Sequence, residues 1–146
     1  MHKLFAAFVG LFFISITHAS EPYERLPEKF IELLRQSKQD EAFDSMFSTN
    51  KWISPESDQV KALRSKLSQD IKLVGEYKYF ELLSEQKVGE RWSRVTYAIG
   101  FERQPIIFTF DLYKPDDNWI ISSFTYNMKL SLMLEKPSFG SSPNET

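Results

Sequence analysis

Cysteine is absent from this chain of 146 residues, and its 2 histidines, His2 and His18, both lie near the amino terminus. Without thiols the chain forms no disulfide bond, so packing alone must hold the fold together. From residue 19 onward there is no imidazole, which excludes histidine-based catalytic triads and the usual zinc sites. Only 5 glycines are present, and they form no phosphate-binding run. We therefore expect no metal and no cofactor.

An excess of charge of either sign is missing as well. The chain has 18 basic and 20 acidic side chains, and its lysines and arginines form no cluster. A basic patch is the electrostatic mark of proteins that bind nucleic acids. We therefore expect no nucleic-acid partner.

The amino-terminal 19 residues have the zones of a secretory signal peptide. Lys3 supplies the positive charge, residues 4–16 form the apolar run, and Thr17 and Ala19 are the small residues that signal peptidase requires. The run is too short to span a bilayer, which takes about 20 apolar residues. The pattern predicts cleavage after Ala19 and release of a chain with no stable membrane anchor into the periplasm or the medium of a bacterium.

Three helices are predicted in the first half of the exported chain. The first begins at Pro27, which suits a first helical turn because its missing N–H would be unpaired there. The second has apolar side chains at helical spacing over residues 42–47 and ends near Asn50. The third begins at Ser54, which precedes a proline and an acid, and ends at Gly75.

From Glu76 onward the apolar residues follow a period of two, which is typical of strands. The predicted strands cover residues 77–87, 90–101, 105–114 and 119–130. Connections this short join antiparallel neighbours. The sequence therefore predicts an α+β fold in which three N-terminal helices pack on a curved four-stranded antiparallel meander.

We predict one α+β domain over residues 20–135 and a disordered tail over residues 136–146, which is rich in proline, serine and glycine. The tail follows the last predicted strand and shows no strand-like or helical period. We see no repeat and no linker inside the predicted domain.

Several short passages carry a family resemblance: Ala42-Phe43 after an acidic turn, Leu-Val-Gly-Glu-Tyr at residues 73–77 and Asn-Trp-Ile-Ile at residues 118–121. Together with the order of elements they resemble the NTF2-like superfamily, in particular its small exported bacterial members of unassigned function. The resemblance spans about residues 26–130 and implies a cone-shaped fold. Members of that superfamily include isomerases, dehydratases, transport factors and binding domains, so the resemblance implies no single function.

The predicted turns also set the register of the strands. A two-residue turn at Val88-Gly89 pairs Lys87 with Glu90. Four-residue loops over residues 102–105 and 115–118 place Leu112 opposite both Val95 and Ile121. One sheet face then becomes nearly continuous apolar surface, which we expect the helices to cover. Its members are Phe80, Leu82, Val95, Tyr97, Ile99, Phe101, Ile106, Phe108, Phe110, Leu112, Trp119 and Ile121. Toward its edges, Lys78, Tyr97, Ser123 and Thr125 are predicted to line the mouth of a pocket for a small apolar ligand. The alternative is an ordinary core with a polar fringe.

The opposite face mixes aromatic and polar side chains, which is typical of protein interfaces. The predicted register places Glu81, Thr96, Asp111 and Ser122 in one row across the strands, with Arg94 diagonal to both acids. The predicted interface with a second copy or a partner protein comprises Glu81, Arg94, Thr96, Asp111, Tyr113, Ser122, Phe124 and Tyr126. The alternative is a solvated surface without a partner.

These patterns favour a non-enzymatic exported domain that binds a periplasmic partner protein or a small apolar ligand, with a homodimer as one form. The alternative is an acid–base enzyme of isomerase or dehydratase type, because carboxylates and tyrosines can transfer protons without histidine. A structural role in assembly of the cell envelope is a third hypothesis that the sequence does not separate from the first. No catalytic residue is predicted.

Replacing Ala19 with tryptophan should leave the precursor uncleaved, because the peptidase accepts only small side chains at that position. Intact-mass measurement of the exported protein tests this: the variant should keep the mass of the full chain. The matched control Ala19→Ser should be processed normally. Normal processing of Ala19→Trp would show that the cleavage site lies elsewhere.

Overall fold

The computed structural model describes Tyr23, residues 25–129 and Ser131. The predicted cleavage site and the predicted tail lie outside these residues. The helices are α1 (Arg25–Arg35), α2 (Gln39–Phe47) and α3 (Asp58–Val74), and the strands are β1 (Tyr77–Val88), β2 (Trp92–Phe101), β3 (Pro105–Tyr113) and β4 (Ile120–Asn127). Three helices followed by a four-stranded antiparallel sheet confirm the predicted α+β class. In the described part of the chain, no helix is both long and apolar enough to cross a membrane.

The start of α3 differs from the prediction. Ser57 is the N-cap, because its hydroxyl accepts a hydrogen bond from the Val60 amide. The carbonyl of Ser54 accepts a hydrogen bond from the Ser57 amide and closes a turn instead. Pro55 occupies the second position of that turn, where proline is favoured, so the helix begins after the turn. At the other end, Gly75 has a φ of 88° and ends the helix as predicted.

The strands pair in the order β1-β2-β3-β4, as predicted for a meander. The first turn is longer than predicted: Val88 faces Trp92 across a three-residue loop, and Lys87 faces Ser93 rather than Glu90. The carbonyl of the loop residue Arg91 accepts a hydrogen bond from the amide of Lys114, which follows β3.

The β2–β3 turn has the predicted four residues but begins one residue earlier than predicted, at residue 101, since Gly100 faces Pro105. Its backbone is tied to the end of α3, because the Glu102 amide donates to the Glu76 carbonyl and the Arg103 amide to the Val74 carbonyl. Val95 therefore faces Phe110, whereas the predicted partner was Leu112. This shift of two residues leaves every side chain on its predicted face, because faces alternate with a period of two.

A bulge in β4 does change the faces. Leu112 faces Ile121 as predicted, but Asp111 faces Ser123, so Ser122 is the extra residue. An extra residue reverses the alternation of every side chain beyond it. Phe124 therefore faces the helices opposite Phe110, and the prediction that put it on the other face is wrong. β1 also carries a register shift, between Leu82 and Ser84.

The helices cover the predicted apolar face, which we call the inner face. Its buried members are Val95, Tyr97, Ile99, Phe101, Ile106, Phe108, Phe110, Leu112, Trp119 and Ile121. Phe30 of α1 joins the layers, because its ring centre lies 5.6 Å from that of Phe110 and 5.5 Å from that of Phe124. Phe80 and Leu82 stay 48% and 49% exposed, because β1 lies at the sheet edge and contributes no buried residue.

Phe110→Ala should lower the free energy of unfolding by about 3–5 kcal/mol, the usual cost of emptying a buried aromatic site. Phe110 is fully buried between Phe30, Tyr97 and Phe124. Urea denaturation measures the change, and Tyr113→Ala on the opposite face is the matched control with a much smaller loss. Equal losses for the two variants would mean that the core lies elsewhere.

Candidate functional site

The residues predicted to line a pocket mouth are not brought together. Tyr97 is buried, and its ring packs near those of Phe80 and Phe110. Ser123 and Thr125 lie on the opposite face, beside Asp111 and Thr109, so their predicted placement is wrong. Lys78 is exposed, with its ammonium 3.3 Å from the Glu76 carboxylate. The bulge at Ser122 explains the separation, since it exchanges the faces of Ser123 and Thr125.

The face away from the helices, which we call the outer face, holds only part of the predicted interface. Tyr126 and Phe124 lie on the inner face because of the bulge, and Ser122 is the bulged residue itself. Glu81 faces Ala98, so it does not stand in a row with Thr96 and Asp111 as predicted.

Thr96 instead lies in a row of hydroxyl side chains that crosses all the strands. The row runs through Ser84, Thr96, Thr109 and Thr125. The hydroxyl oxygens of Thr96 and Thr109 are 3.2 Å apart and share a hydrogen bond. These short side chains make this part of the outer face flat.

Next to the hydroxyl row, Arg94 and Asp111 face each other on adjacent strands. The guanidinium donates two hydrogen bonds, with Nε 2.6 Å from Oδ1 and Nη2 2.8 Å from Oδ2. The Ser122 hydroxyl donates to the backbone carbonyl of Asp111. The carboxylate raises the pKa of Arg94 further above its ordinary value through these hydrogen bonds. The arginine side chain is 57% exposed, so the pair stabilises the fold little but holds two opposite charges in fixed positions.

An apolar row borders the charged pair. Val88 faces Trp92, Trp92 faces Tyr113, and Tyr113 faces Ile120. The rings of Trp92 and Tyr113 stack with centres 4.6 Å apart. Val88 is 73% exposed and Trp92 is 49% exposed, so this row presents a large apolar area to solvent.

We call Val88, Trp92, Arg94, Asp111, Tyr113 and Ile120 the outer-face patch. A pocket of about 260 Å³ opens on it, lined by Gln86, Val88, Trp92, Ser93, Arg94 and Asp111. Arg94, Asp111 and Tyr113 were predicted as interface residues, whereas Val88 was assigned to a two-residue turn and missed. A longer turn would have placed Val88 in line with Trp92, but turn length is not readable from Val88-Gly89 alone.

The edge strand β1 continues this surface. Its residues 78–88 are all exposed, and among the described residues only β2 pairs with it. The edge carries apolar side chains at Tyr79, Phe80, Leu82 and Leu83. The Tyr79 ring covers Gly100 so closely that a side chain there would collide with it. An unpaired edge with apolar side chains is a template for pairing with another chain.

A candidate cluster for proton-transfer chemistry lies between α3 and β4, where a tyrosine, a carboxylate and a lysine meet. The Tyr126 hydroxyl donates to Asp70 at 2.6 Å, and the Lys66 ammonium lies 2.8 Å from the same carboxylate oxygen. The hydrogen bond from Lys66 lowers the pKa of Asp70 and raises that of Lys66. Burial, helped by Asp70, raises the pKa of Tyr126. Each shift moves the pKa of the group further from neutral pH. Such groups suit a structural link, because a proton carrier needs a pKa near the working pH. Among the described residues there is no group of acids that could hold a metal ion.

Comparison with known proteins adds a structural match alone. No protein-family model matches the chain, and no curated protein matches it. A crystal structure from Campylobacter jejuni described as a "Putative NTF2-like transpeptidase" is 17% identical, with a TM-score of 0.46, over 69% of this chain and 97% of that chain. At this level of similarity nothing about activity, substrate or partner follows for this protein.

Asp70→Asn should destabilise the fold by about 1–2 kcal/mol near neutral pH, because it weakens hydrogen bonds to Tyr126 and Lys66. The folded pKa of Asp70 lies below its ordinary value, so its contribution is complete above about pH 4 and is lost as the pH falls further. The difference between the two proteins in urea denaturation should therefore shrink in acid. A difference that stayed constant down to strongly acidic pH would contradict the link.

Proposed function

We propose that this protein is a non-enzymatic binding domain that associates with a second copy of itself through the outer-face patch. The observation that carries the proposal is the row of Val88 and Trp92 beside the stacked Tyr113, exposed at the end of a sheet whose other face packs against the helices. Aromatic side chains held rigid by stacking are typical anchors of interfaces. The proposal also places the domain in the bacterial periplasm, which rests on the predicted signal peptide.

The charges of the patch suit contact between identical surfaces. Arg94 and Asp111 lie side by side, with opposite signs held by two hydrogen bonds. In a two-fold symmetric dimer each surface meets its own copy, so a fixed positive and negative pair can face its mate with the signs matched. A patch of one sign would repel its copy.

The β1 edge extends the contact area beyond the patch. Its exposed charged residues include Lys78 and Lys87 as well as Glu81 and Glu85, so like charge does not keep two copies apart. Its apolar side chains add area next to Val88. A stable interface needs about 800 Å² from each partner, so we propose that the edge strand contributes to the contact together with the patch.

The other hypotheses receive less support from the geometry. The residues predicted for an apolar-ligand pocket lie on different faces. The acid–base alternative has tyrosine–carboxylate hydrogen bonds at Tyr126–Asp70 and at Tyr23–Glu85, and in both the pKa of the tyrosine is raised, which opposes proton transfer at neutral pH.

Val88→Glu should weaken self-association at least about tenfold, because the dimer would have to bury an unpaired charge. Sedimentation velocity over a wide range of protein concentrations measures the monomer–dimer equilibrium. Trp52→Glu is the matched control, since Trp52 is 82% exposed but lies outside the patch. A wild-type protein that stayed monomeric at every concentration would refute the proposal.

Arg94→Ala should also weaken the dimer, because Asp111 would be left with no partner in the interface. Adding Asp111→Asn should restore part of the association, since the stranded charge is then removed. Arg35→Ala serves as the control, because Arg35 forms a comparable exposed pair with Glu32 on α1, outside the patch and the edge strand. If Arg94→Ala and the wild type had the same dimer dissociation constant, the Arg94–Asp111 pair would lie on solvent-exposed surface outside the interface.

A further inference from the structure

A second polar cluster lies at the β1–β2 end of the inner face and shares no residue with the outer-face patch. At its centre is Tyr23, which is 1% exposed and donates a hydrogen bond to the carboxylate of Glu85. The ammonium of Lys87 lies 5.3 Å from the centre of the Tyr23 ring. The indole ring of Trp119 packs edge to face against the same ring, with centres 4.6 Å apart. Burial raises the pKa of Tyr23, so the phenol stays protonated.

Two buried polar atoms in this cluster lack a hydrogen-bond partner within the described residues: Ser93 Oγ and Trp119 Nε1. Ser93 is 4% exposed and Trp119 is 9% exposed. The Ser93 hydroxyl lies near enough to Tyr23 to lower its pKa, yet the two form no hydrogen bond of acceptable geometry. Leaving such a group unpaired costs about 1–3 kcal/mol, so most buried polar atoms are paired. Both orphaned atoms sit next to Tyr23.

A pocket of about 290 Å³ opens beside Tyr23 and Trp119. Its lining residues are Tyr23, Lys87, Gly89, Glu90, Lys114 and Trp119. The Lys114 ammonium lies 6.0 Å from the centre of the Trp119 ring, and no carboxylate of the described residues is within ion-pair distance of it. The volume is at the small end of ligand sites in proteins, which suits a compact molecule.

We infer that this pocket binds the carboxylate group of a small molecule. The indole N–H can only donate a hydrogen bond, so an occupant that satisfies Trp119 must supply an acceptor. Lys114 supplies a positive charge that has no carboxylate partner in the described part, whereas Lys87 is shared with Glu85 at 3.5 Å. A carboxylate satisfies both the indole and the ammonium.

The acids of the cluster limit the charge of the ligand. Lys87 and Lys114 are balanced by Glu85 and Glu90, so the site holds two positive and two negative groups. A single negative charge can pair with Lys114, but a doubly charged phosphate would also be repelled by the two acids. The inferred specificity is therefore for monocarboxylates over phosphate. This inference does not rest on the proposed self-association, because no residue that lines this pocket belongs to the outer-face patch.

The indole N–H resonance of Trp119 in ¹⁵N-labelled protein tests the inference directly. The chain has 3 tryptophans, so the Trp119 signal is the one that remains in both Trp52→Phe and Trp92→Phe variants. Titration with benzoate should shift this signal saturably, whereas neutral benzamide and inorganic phosphate should not. Absence of a saturable shift with benzoate and with the peptide described below would overturn the inference.

Lys114→Gln should weaken benzoate binding about tenfold, because the ligand loses its charged partner. Lys51→Gln is the matched control, since Lys51 also lies above a tryptophan, 5.2 Å from the ring centre of Trp52. An affinity for benzoate that Lys114→Gln leaves unchanged would overturn the assignment. Both lysine side chains are surface groups, so neither variant threatens the fold.

The carboxylate can come from a free acid or from the carboxyl terminus of a peptide. A short peptide with a free carboxyl terminus, the same peptide with an amidated terminus, and benzoate separate these sources. Tighter binding of the free peptide than of benzoate identifies a peptide end as the ligand, and the reverse order identifies a small acid. Equal shifts with the amidated and the free peptide would contradict a carboxylate site.

Discussion

Contact between aromatic rings across the layers is the interaction on which the rest of this structure depends. With no cysteine in the chain, the helices are attached to the sheet by packing alone, and Phe30 makes ring contacts with Phe43 of α2 and with Phe108 and Phe110 of β3. Such contacts add to the hydrophobic gain from burying large rings. Because this core draws on β2, β3 and β4, it leaves β1 projecting at the edge with both of its faces exposed.

The exposed edge strand and the packed core are therefore two results of one distribution of apolar residues. The inner face is filled between the helices and three strands, and within the described part of the chain no layer covers the apolar side chains of β1 beyond Tyr77. Natural sheets commonly protect such edges with charges or bulges, and β1 has both, with Lys78 and Lys87 along its length and a register shift after Leu82. These features oppose open-ended strand pairing along the edge.

The fold was predictable because its sequence signals are periodic. The site was not predictable, because it depends on the exact number of residues in one loop and on the position of one bulge. The apolar stripe of α3 and the alternation of β2 and β3 repeat many times, so a local irregularity does not hide them. Register, in contrast, depends on whether the loop after Val88 has two or three residues and on where Ser122 bulges. Arg94 and Asp111 were correctly predicted to lie near each other on one face. Phe124 and Ser123 each lie on the face opposite to the predicted one. The Tyr23 cluster joins residues 62 positions apart, and no sequence pattern indicates such a contact.

The bulge at Ser122 has a consequence for how this chain can change in evolution. Deleting that one residue would remove the bulge and pair β4 regularly with β3, with Phe124 still on the inner face and Ser123 and Thr125 still on the outer face. Inserting a residue between Ser122 and Phe124 without a further bulge would instead turn the side chains beyond it to the other face. Loss of one residue at Ser122 should therefore be tolerated in evolution, whereas gain of one residue there should be rare. At the β2–β3 turn a register shift of two residues preserves the faces, so length changes there should occur in steps of two.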